Sequence, residues 1–138
     1  MLITSHGHTD VGFVREKNED SFIVDEGKGI YAVADGVGGL PYGSLASRLA
    51  VRFYGALMHG PESCSTLEEL RSISHEIQTN LLEFGALVGG ENGIGTTFSG
   101  LRIIDSRLLL PMSVILRFFS KTPVDSVKYP KTILLVMS

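Results

Sequence analysis

The most informative part of the sequence is Ile30-Tyr31-Ala32-Val33-Ala34-Asp35-Gly36-Val37-Gly38-Gly39. Its first five residues form a short apolar run, which is typical of a buried strand. The run leads directly into an aspartate and then into a glycine-rich turn, where the backbone can bend sharply. We therefore expect the aspartate to lie at a sheet edge, with the carbonyl group of the next residue exposed.

The neighbouring segments predict further strands. Residues 9–14 and 21–25 are predicted as strands on either side of a charged turn, and residues 26–29, with two glycines, are predicted as a hairpin turn. Later in the chain, residues 96–104 and 107–110 predict a second hairpin around Asp105-Ser106. Antiparallel pairing is expected wherever strands are joined by such short turns.

Two helices are predicted between these hairpins. The first spans about 44–58, because apolar residues recur there at every fourth position: Leu45, Leu49, Phe53 and Leu57, with Ala46 and Ala50 beside them in one apolar stripe. The second begins at a capping box, in which Thr66 and Glu69 bind each other's free backbone N–H groups. Gly85 or the Gly89-Gly90 pair would end it. The order of strands, helices and strands predicts an α+β fold, with helices packed on an antiparallel sheet.

Composition narrows the class of protein. The chain has 138 residues, which predicts a single domain, and a formal net charge of -3 gives no reason to expect nucleic-acid binding. The single cysteine, Cys64, excludes an internal disulfide and a cysteine-based zinc cluster. Neither a signal peptide nor a membrane-spanning run is apparent, so the sequence predicts a cytoplasmic protein without a membrane partner.

Charged residues lie at two of the predicted bends. Arg15, Glu19 and Asp20 belong to the first, and Asp35 belongs to the second. Carboxylates together with a backbone carbonyl are the oxygen ligands that Mg²⁺ and Mn²⁺ prefer. Taken alone, each motif has another interpretation, because Asp-Gly is a common hairpin turn and Asn18-Glu19-Asp20 could be a solvated turn.

The motifs in combination are far more specific. Their order is Arg15-x-x-Asn18-Glu19-Asp20-Ser21, then Ala34-Asp35-Gly36-Val37-Gly38-Gly39, then Gly95-Thr96-Thr97. This order resembles the type-2C (PPM) family of metal-dependent serine/threonine protein phosphatases, and the bacterial branch matches best. Asp10-Val11-Gly12, before the arginine, adds to the similarity, which runs from about residue 5 to 110.

The resemblance implies a site and a set of roles. Asp35 would bridge two Mn²⁺ or Mg²⁺ ions, and the carbonyl of Gly36 would bind one of them. Glu19 and Asp20 would hold metal-bound waters. Arg15 would bind the phosphate group of the substrate. The implied fold is a four-layer α-β-β-α sandwich with antiparallel sheets, of which this chain would hold the N-terminal portion.

The resemblance also implies an activity and its partners. A monomeric enzyme would hydrolyse phosphoserine and phosphothreonine in a protein, by means of a metal-activated water. A cognate serine/threonine kinase would supply that substrate. The alternative is a non-catalytic, phosphatase-like fragment or binding module, which would show no turnover and only weak affinity for metal ions.

The sequence departs from the family after Leu110. The family continues with a His-Val-Gly-Asp-Ser strand and later aspartates, whereas this chain reads Pro-Met-Ser-Val-Ile-Leu over 111–116. One set of codons for Ala-His-Val-Gly-Asp-Ser is GCC CAT GTC GGT GAT TCT, and without its first base it encodes that same string. Codons for Glu-Asp-His-Thr, treated in the same way, give the Lys-Thr-Ile-Leu of residues 131–134.

We therefore interpret residues 1–110 as the N-terminal part of a type-2C phosphatase domain. Residues 111–138 are interpreted as an out-of-frame, non-native tail after a one-base deletion near the Leu110 codon. The alternative is that 111–138 is a genuine terminal segment. A truncated chain without the later aspartates is expected to be inactive, because one aspartate and one carbonyl cannot hold two divalent ions tightly.

Overall fold

The computed structural model describes residues 3–37, 42–60, 64–88 and 93–110, together with the backbone of 114–118. These residues form an α+β fold of five strands and two helices, as the sequence predicts. In chain order the elements are β1 (Asp20–Asp25), β2 (Ile30–Asp35), α1 (Gly43–Met58), α2 (Leu67–Val88), β3 (Ile94–Ile104), β4 (Arg107–Leu109) and β5 (Val114–Phe118).

All strand pairs are antiparallel. Strands β1 to β4 are neighbours in chain order, and β5 pairs with the first half of β3. Both predicted hairpins are confirmed: Asp25 pairs with Ile30, and Ile104 pairs with Arg107. The second hairpin turns at Asp105 and Ser106, whose φ angles of 50° and 60° are those of the type I′ turns that suit the twist of a hairpin.

The helix α1 packs on the sheet through the alanine side of the predicted stripe. The residues that are fully buried on α1 include Ala46, Ala50 and Tyr54. Leu49 and Phe53, which belong to the predicted stripe, are only partly buried and pack against the edge of the core. Small residues occupy the buried side of α1, because they allow the helix backbone to approach the strands closely.

The helix α2 begins as predicted. The Glu69 N–H donates to Thr66 Oγ1 at 3.2 Å, and the Thr66 N–H donates to Glu69 Oε2 at 2.9 Å. The helix continues through Gly85 and ends at Val88, so Gly85 does not stop it. In the part of the chain that the structure describes, neither helix is long and apolar enough to cross a membrane.

The core lies between the two helices and one face of the sheet. Tyr54 is fully buried, and its ring meets that of Phe98 edge to face with 5.3 Å between centroids. The Tyr54 hydroxyl donates to the Leu101 carbonyl at 2.8 Å. A buried aromatic ring with its polar end satisfied in this way joins α1 firmly to β3.

The prediction of a strand over residues 9–14 is wrong. Residues 12–14 form a turn, in which Gly12 has a φ of 71° and its N–H donates to Asp10 Oδ1 at 2.7 Å. The Asp10 side chain thus makes the hydrogen bond with this N–H that a neighbouring strand would otherwise make. Thr9 is tied to this loop by the Asn18 side chain, which donates to Thr9 Oγ1 at 2.9 Å.

The segment predicted as a non-native tail lies mostly outside the described residues. The backbone of Val114–Phe118 pairs with Phe98–Ile94 of β3. The boundary at residue 110 stays a prediction.

The turn between β1 and β2 allows a test of the fold. Gly29 has a φ of 64°, and a Cβ there would overlap the backbone carbonyl of Ile103. We expect Gly29→Ala to lower the free energy of unfolding by about 1–3 kcal/mol, because strain and overlap combine. Gly27→Ala, where a Cβ would meet only an Asp25 oxygen at 3.6 Å, is the matched control and should change it by less than about 0.5 kcal/mol. Denaturant unfolding measures both, and equal losses would contradict this assignment.

Candidate metal and phosphate site

A polar cavity of about 210 Å³ opens where β1 begins and β2 ends. The loop of residues 10–19 forms its other wall. Four of the five predicted site residues line this cavity, and the fifth, Gly36, follows Asp35 directly. The lining residues are Asp10, Val11, Arg15, Lys17, Asn18, Glu19, Asp20 and Asp35.

The strand register brings the two aspartates together. Asp20 is the first residue of β1 and Asp35 is the last residue of β2, and the two are direct cross-strand partners. Directly opposite residues of an antiparallel pair project from the same face of the sheet. Two motifs that lie fifteen positions apart in the sequence therefore contribute to one site.

The backbone after Asp35 is fixed from both sides. The Gly36 N–H donates to the Glu19 carbonyl at 3.0 Å, and the Val37 N–H donates to the Gly95 carbonyl at 3.0 Å. A Cβ on residue 36 would overlap the backbone carbonyl of Gly43 at the start of α1. Only glycine fits here, because the helix and the end of β2 approach each other so closely.

The carboxyl group of Asp35 lies in an unfavourable environment. Burial, a hydrogen bond with Asp20 and the negative charge of Asp20 together raise the pKa of Asp35 to about 6. The positive charge of Arg15 opposes this shift, but its Nη1 atom lies 3.8 Å from Asp35 Oδ1, which is too far for a hydrogen bond. Asp35 Oδ1 is buried and finds no hydrogen-bond donor among the described residues.

These features fit a hard divalent cation. A buried carboxylate oxygen without a donor, next to a second carboxylate and an exposed arginine, offers the oxygen chemistry that Mg²⁺ and Mn²⁺ favour. The fit is partial, because no group of three or more His, Cys, Asp or Glu side chains within the described ranges is arranged to hold a metal ion. Asp35 and Gly36 can thus supply part of a metal site, and other ligands must complete it.

Sequence reasoning missed four polar contributors to this region. Asp10 and Lys17 line the cavity, although the sequence showed only a charged loop there. Thr96 and Thr97 were recognised as a motif without a role, yet both hydroxyl groups lie within hydrogen-bond distance of the Asp35 backbone. Aligning Gly36 opposite Thr96 would have predicted that contact, but the alignment depends on a register that the sequence does not give.

Curated proteins of known name resemble the chain. The serine/threonine phosphatase stp of Listeria monocytogenes serovar 1/2a is 32% identical over 109 residues, which cover 74% of this chain and 43% of that protein. The protein of the same name from Listeria welshimeri is also 32% identical, with the same coverage. The chain therefore spans less than half the length of the curated relatives it matches. No protein-family model matches the sequence.

Solved structures agree with these sequence similarities. The Mycobacterium tuberculosis serine/threonine phosphatase PstP/Ppp superposes with a TM-score of 0.66 and 25% identity, over 78% of this chain and 45% of that one. A PstP catalytic domain in complex with two manganese ions gives a TM-score of 0.62 at 21% identity, over 78% of this chain and 54% of that one, which supports the fold alone. Together with the motifs and the sequence relatives, this likeness shows that the chain resembles the N-terminal part of the PPM (type-2C) serine/threonine protein phosphatases.

Proposed function

We propose that residues 1–110 belong to an enzyme that removes phosphate from phosphoserine and phosphothreonine in proteins, with the help of two Mn²⁺ or Mg²⁺ ions. The observation that carries this proposal is the buried, donor-free Oδ1 atom of Asp35 beside the guanidinium of Arg15. A cation held at that oxygen and a phosphate held at that arginine would be immediate neighbours.

The charges of the cavity support a role for metal ions. Its lining holds four carboxylates, from Asp10, Glu19, Asp20 and Asp35, but only two cationic side chains. A doubly charged phosphate would be repelled from such a site at neutral pH. Divalent ions reverse the local charge, and a PstP structural neighbour carries two manganese ions.

Each proposed residue has a role that its geometry permits. Arg15 is 56% exposed in its side chain and far enough from Asp35 to turn toward a phosphate, which its planar fork can bind through two hydrogen bonds. Asp35 and the Gly36 carbonyl would hold the ions, while Glu19 and Asp20 would accept hydrogen bonds from ordered waters. The ions, when bound, lower the pKa of a water molecule that serves as the nucleophile.

The substrate class follows from the relatives. The curated relatives are named serine/threonine phosphatases, and one structural neighbour, PppA of Pseudomonas aeruginosa, is described as a regulatory component of that organism's T6SS. We extend the phosphoprotein substrate to this chain, with a cognate kinase as the source of the phosphate. A cytoplasmic location and a monomeric state remain predictions from the sequence.

The polypeptide as it stands is proposed to be inactive. Asp35 and Gly36 supply two metal ligands, and neither the His-Val-Gly-Asp-Ser string nor the later aspartates of the family occur in residues 111–138. A one-base deletion near the Leu110 codon would account for residues 111–116 and 131–134, because codons for the two family motifs can be chosen that give both strings in the shifted frame. Nothing in the described part of the chain specifically favours the alternative of a non-catalytic binding module.

Activity measurements test this proposal. We expect the purified chain to release no phosphate from a phosphothreonine peptide with Mn²⁺, and the product of the restored reading frame to release it. Asp35→Ala in the restored product should lower turnover by about 10²-fold or more, because metal ligands contribute several kcal/mol to the transition state. Turnover by the present chain that Asp35→Ala abolishes would overturn the inactivity, and no turnover by the restored product would overturn the function.

The reading frame can be tested at the level of DNA. We expect resequencing from the Leu110 codon onward to show codons for His-Val-Gly-Asp-Ser and the later aspartates in the frame shifted by one base. If that frame holds neither, then residues 111–138 are a genuine terminal segment. The same experiment shows whether the base is missing from the gene itself or was lost through a sequencing error.

The aspartate pair also predicts a pH dependence of stability. Folding raises the Asp35 pKa from 3.8 to about 6. The contribution of Asp35 to the free energy of unfolding therefore falls as the pH rises through this range and stays level above it. In EDTA, Asp35→Asn should therefore melt above the parent at pH of about 7.5 and lose that advantage near pH 4, where the parent Asp35 is largely protonated. Glu76→Gln, on the exposed side of α2, is the matched control and should show no such dependence. An Asp35→Asn protein less stable than the parent at neutral pH would contradict the assigned environment.

A further inference from the structure

We propose that Thr97 is a positioning residue for Asp35, and that its hydroxyl group fixes the peptide unit that presents the metal ligand. The inference rests on the proposed function, because it assumes that Asp35 binds a divalent cation. It concerns a residue on a different strand, which does not itself line the cavity.

The ladder between β2 and β3 is interrupted at the site. Regular pairing runs from Ile30 opposite Arg102 to Val33 opposite Ser99. It resumes as a single bridge between Gly36 and Thr96. Asp35 lies in this gap and has no ladder partner on β3, so its backbone needs other hydrogen-bond partners.

Two threonine hydroxyl groups fill this gap. The Asp35 N–H donates to Thr97 Oγ1 at 3.1 Å, and the hydrogen of the same hydroxyl can reach the Asp35 carbonyl, 3.4 Å away. Thr96 Oγ1 donates to the Asp35 carbonyl at 2.9 Å. One hydroxyl can accept and donate at the same time, which is why a threonine can replace a backbone partner here.

The two threonines differ in what they can affect. Thr96 is fully buried on the helix side of the sheet, so replacing it would disturb the core. Thr97 continues the register directly opposite Asp35 and is only partly buried. Its hydroxyl is the partner of the Asp35 N–H, so its loss would free that N–H and allow the Asp35 peptide to rotate.

A small rotation matters because metal ligands tolerate little displacement. A productive site requires its ligands within about 0.5 Å of their positions. The Gly36 N–H and the Val37 N–H are held by backbone carbonyls, so the Asp35 peptide is the link in this turn that depends on a side chain. Thr97 therefore acts on the residue that carries the proposed carboxylate ligand, whereas the Gly36 carbonyl belongs to the peptide unit that the Val37 N–H fixes.

The test is a Mn²⁺ titration of the full ¹⁵N-labelled chain, followed by paramagnetic broadening of the Asp35 and Gly36 amide signals. We expect Thr97→Val, which keeps the shape but removes the hydroxyl, to need about tenfold more Mn²⁺ for the same broadening. Thr97→Ser should stay within about twofold of the parent, because it restores the hydroxyl. Thr79→Val, which removes an exposed hydroxyl bonded to the His75 carbonyl on α2, is the matched control and should match the parent.

The outcomes separate this inference from the proposed function. If the parent shows no broadening at Asp35 and Gly36, the metal role of Asp35 fails and the inference fails with it. If the parent is broadened there and Thr97→Val responds identically, only the positioning role is overturned. Should Thr97→Val lose its dispersed spectrum, Thr97→Ala provides a second hydroxyl-free variant, and the same comparison with Thr97→Ser decides.

Discussion

Two carboxyl groups held opposite each other across the β1–β2 ladder are the constraint on which the rest of this site depends. The register places Asp20 and Asp35 directly opposite each other, and Asp35 Oδ1 is buried while Asp20 is exposed. A buried carboxylate oxygen is costly unless a hydrogen bond or an opposite charge compensates it. Among the described residues, the positive charge of Arg15, whose Nη1 atom lies 3.8 Å from Asp35 Oδ1, opposes the rise in the Asp35 pKa without cancelling it. A divalent cation bound here would compensate the carboxylates, and it is the ligand that the family resemblance implies.

The backbone around Asp20 and Asp35 accommodates two carboxyl groups whose negative charges repel each other. Gly36 has no side chain, which allows the start of α1 to lie against the end of β2. The regular pairing of β2 with β3 stops at Val33, and the hydroxyl groups of Thr96 and Thr97 form hydrogen bonds with the Asp35 backbone. A regular strand would satisfy the same backbone groups but would leave the Gly36 carbonyl inside the sheet. Because the pairing is interrupted here, the end of β2 can offer the Asp35 carboxylate and the Gly36 carbonyl to a ligand.

Much of this architecture could be predicted from the sequence, and the failures have physical reasons. The hairpins and the Thr66–Glu69 capping box are local, since the residues that determine them lie within four positions of each other. The apolar stripe of α1 was predicted, but the sequence did not show that its alanines lie deeper than Leu49 and Phe53, because close packing on a sheet favours Ala46 and Ala50. The loop before Arg15 was taken for a strand, since the Asp10 side chain that caps Gly12 leaves no periodic signal. The site residues were identified by resemblance, but their environment was not, because the pKa of Asp35 depends on a cross-strand partner and on burial.

The same environment bears on the origin of residues 111–138. An acid pair that lowers stability at neutral pH is useful only when other ligands complete a cation site, since stabilising a fold by itself would favour an amide at position 35. Residues 1–110 nevertheless keep the pair, the glycine that lets α1 approach it and the threonine that holds its backbone. A segment so arranged is what is expected of a chain whose partner ligands were once encoded beside it. The arrangement of residues 1–110 is the one expected of a fold that other ligands complete, and the origin of residues 111–138 stays a prediction.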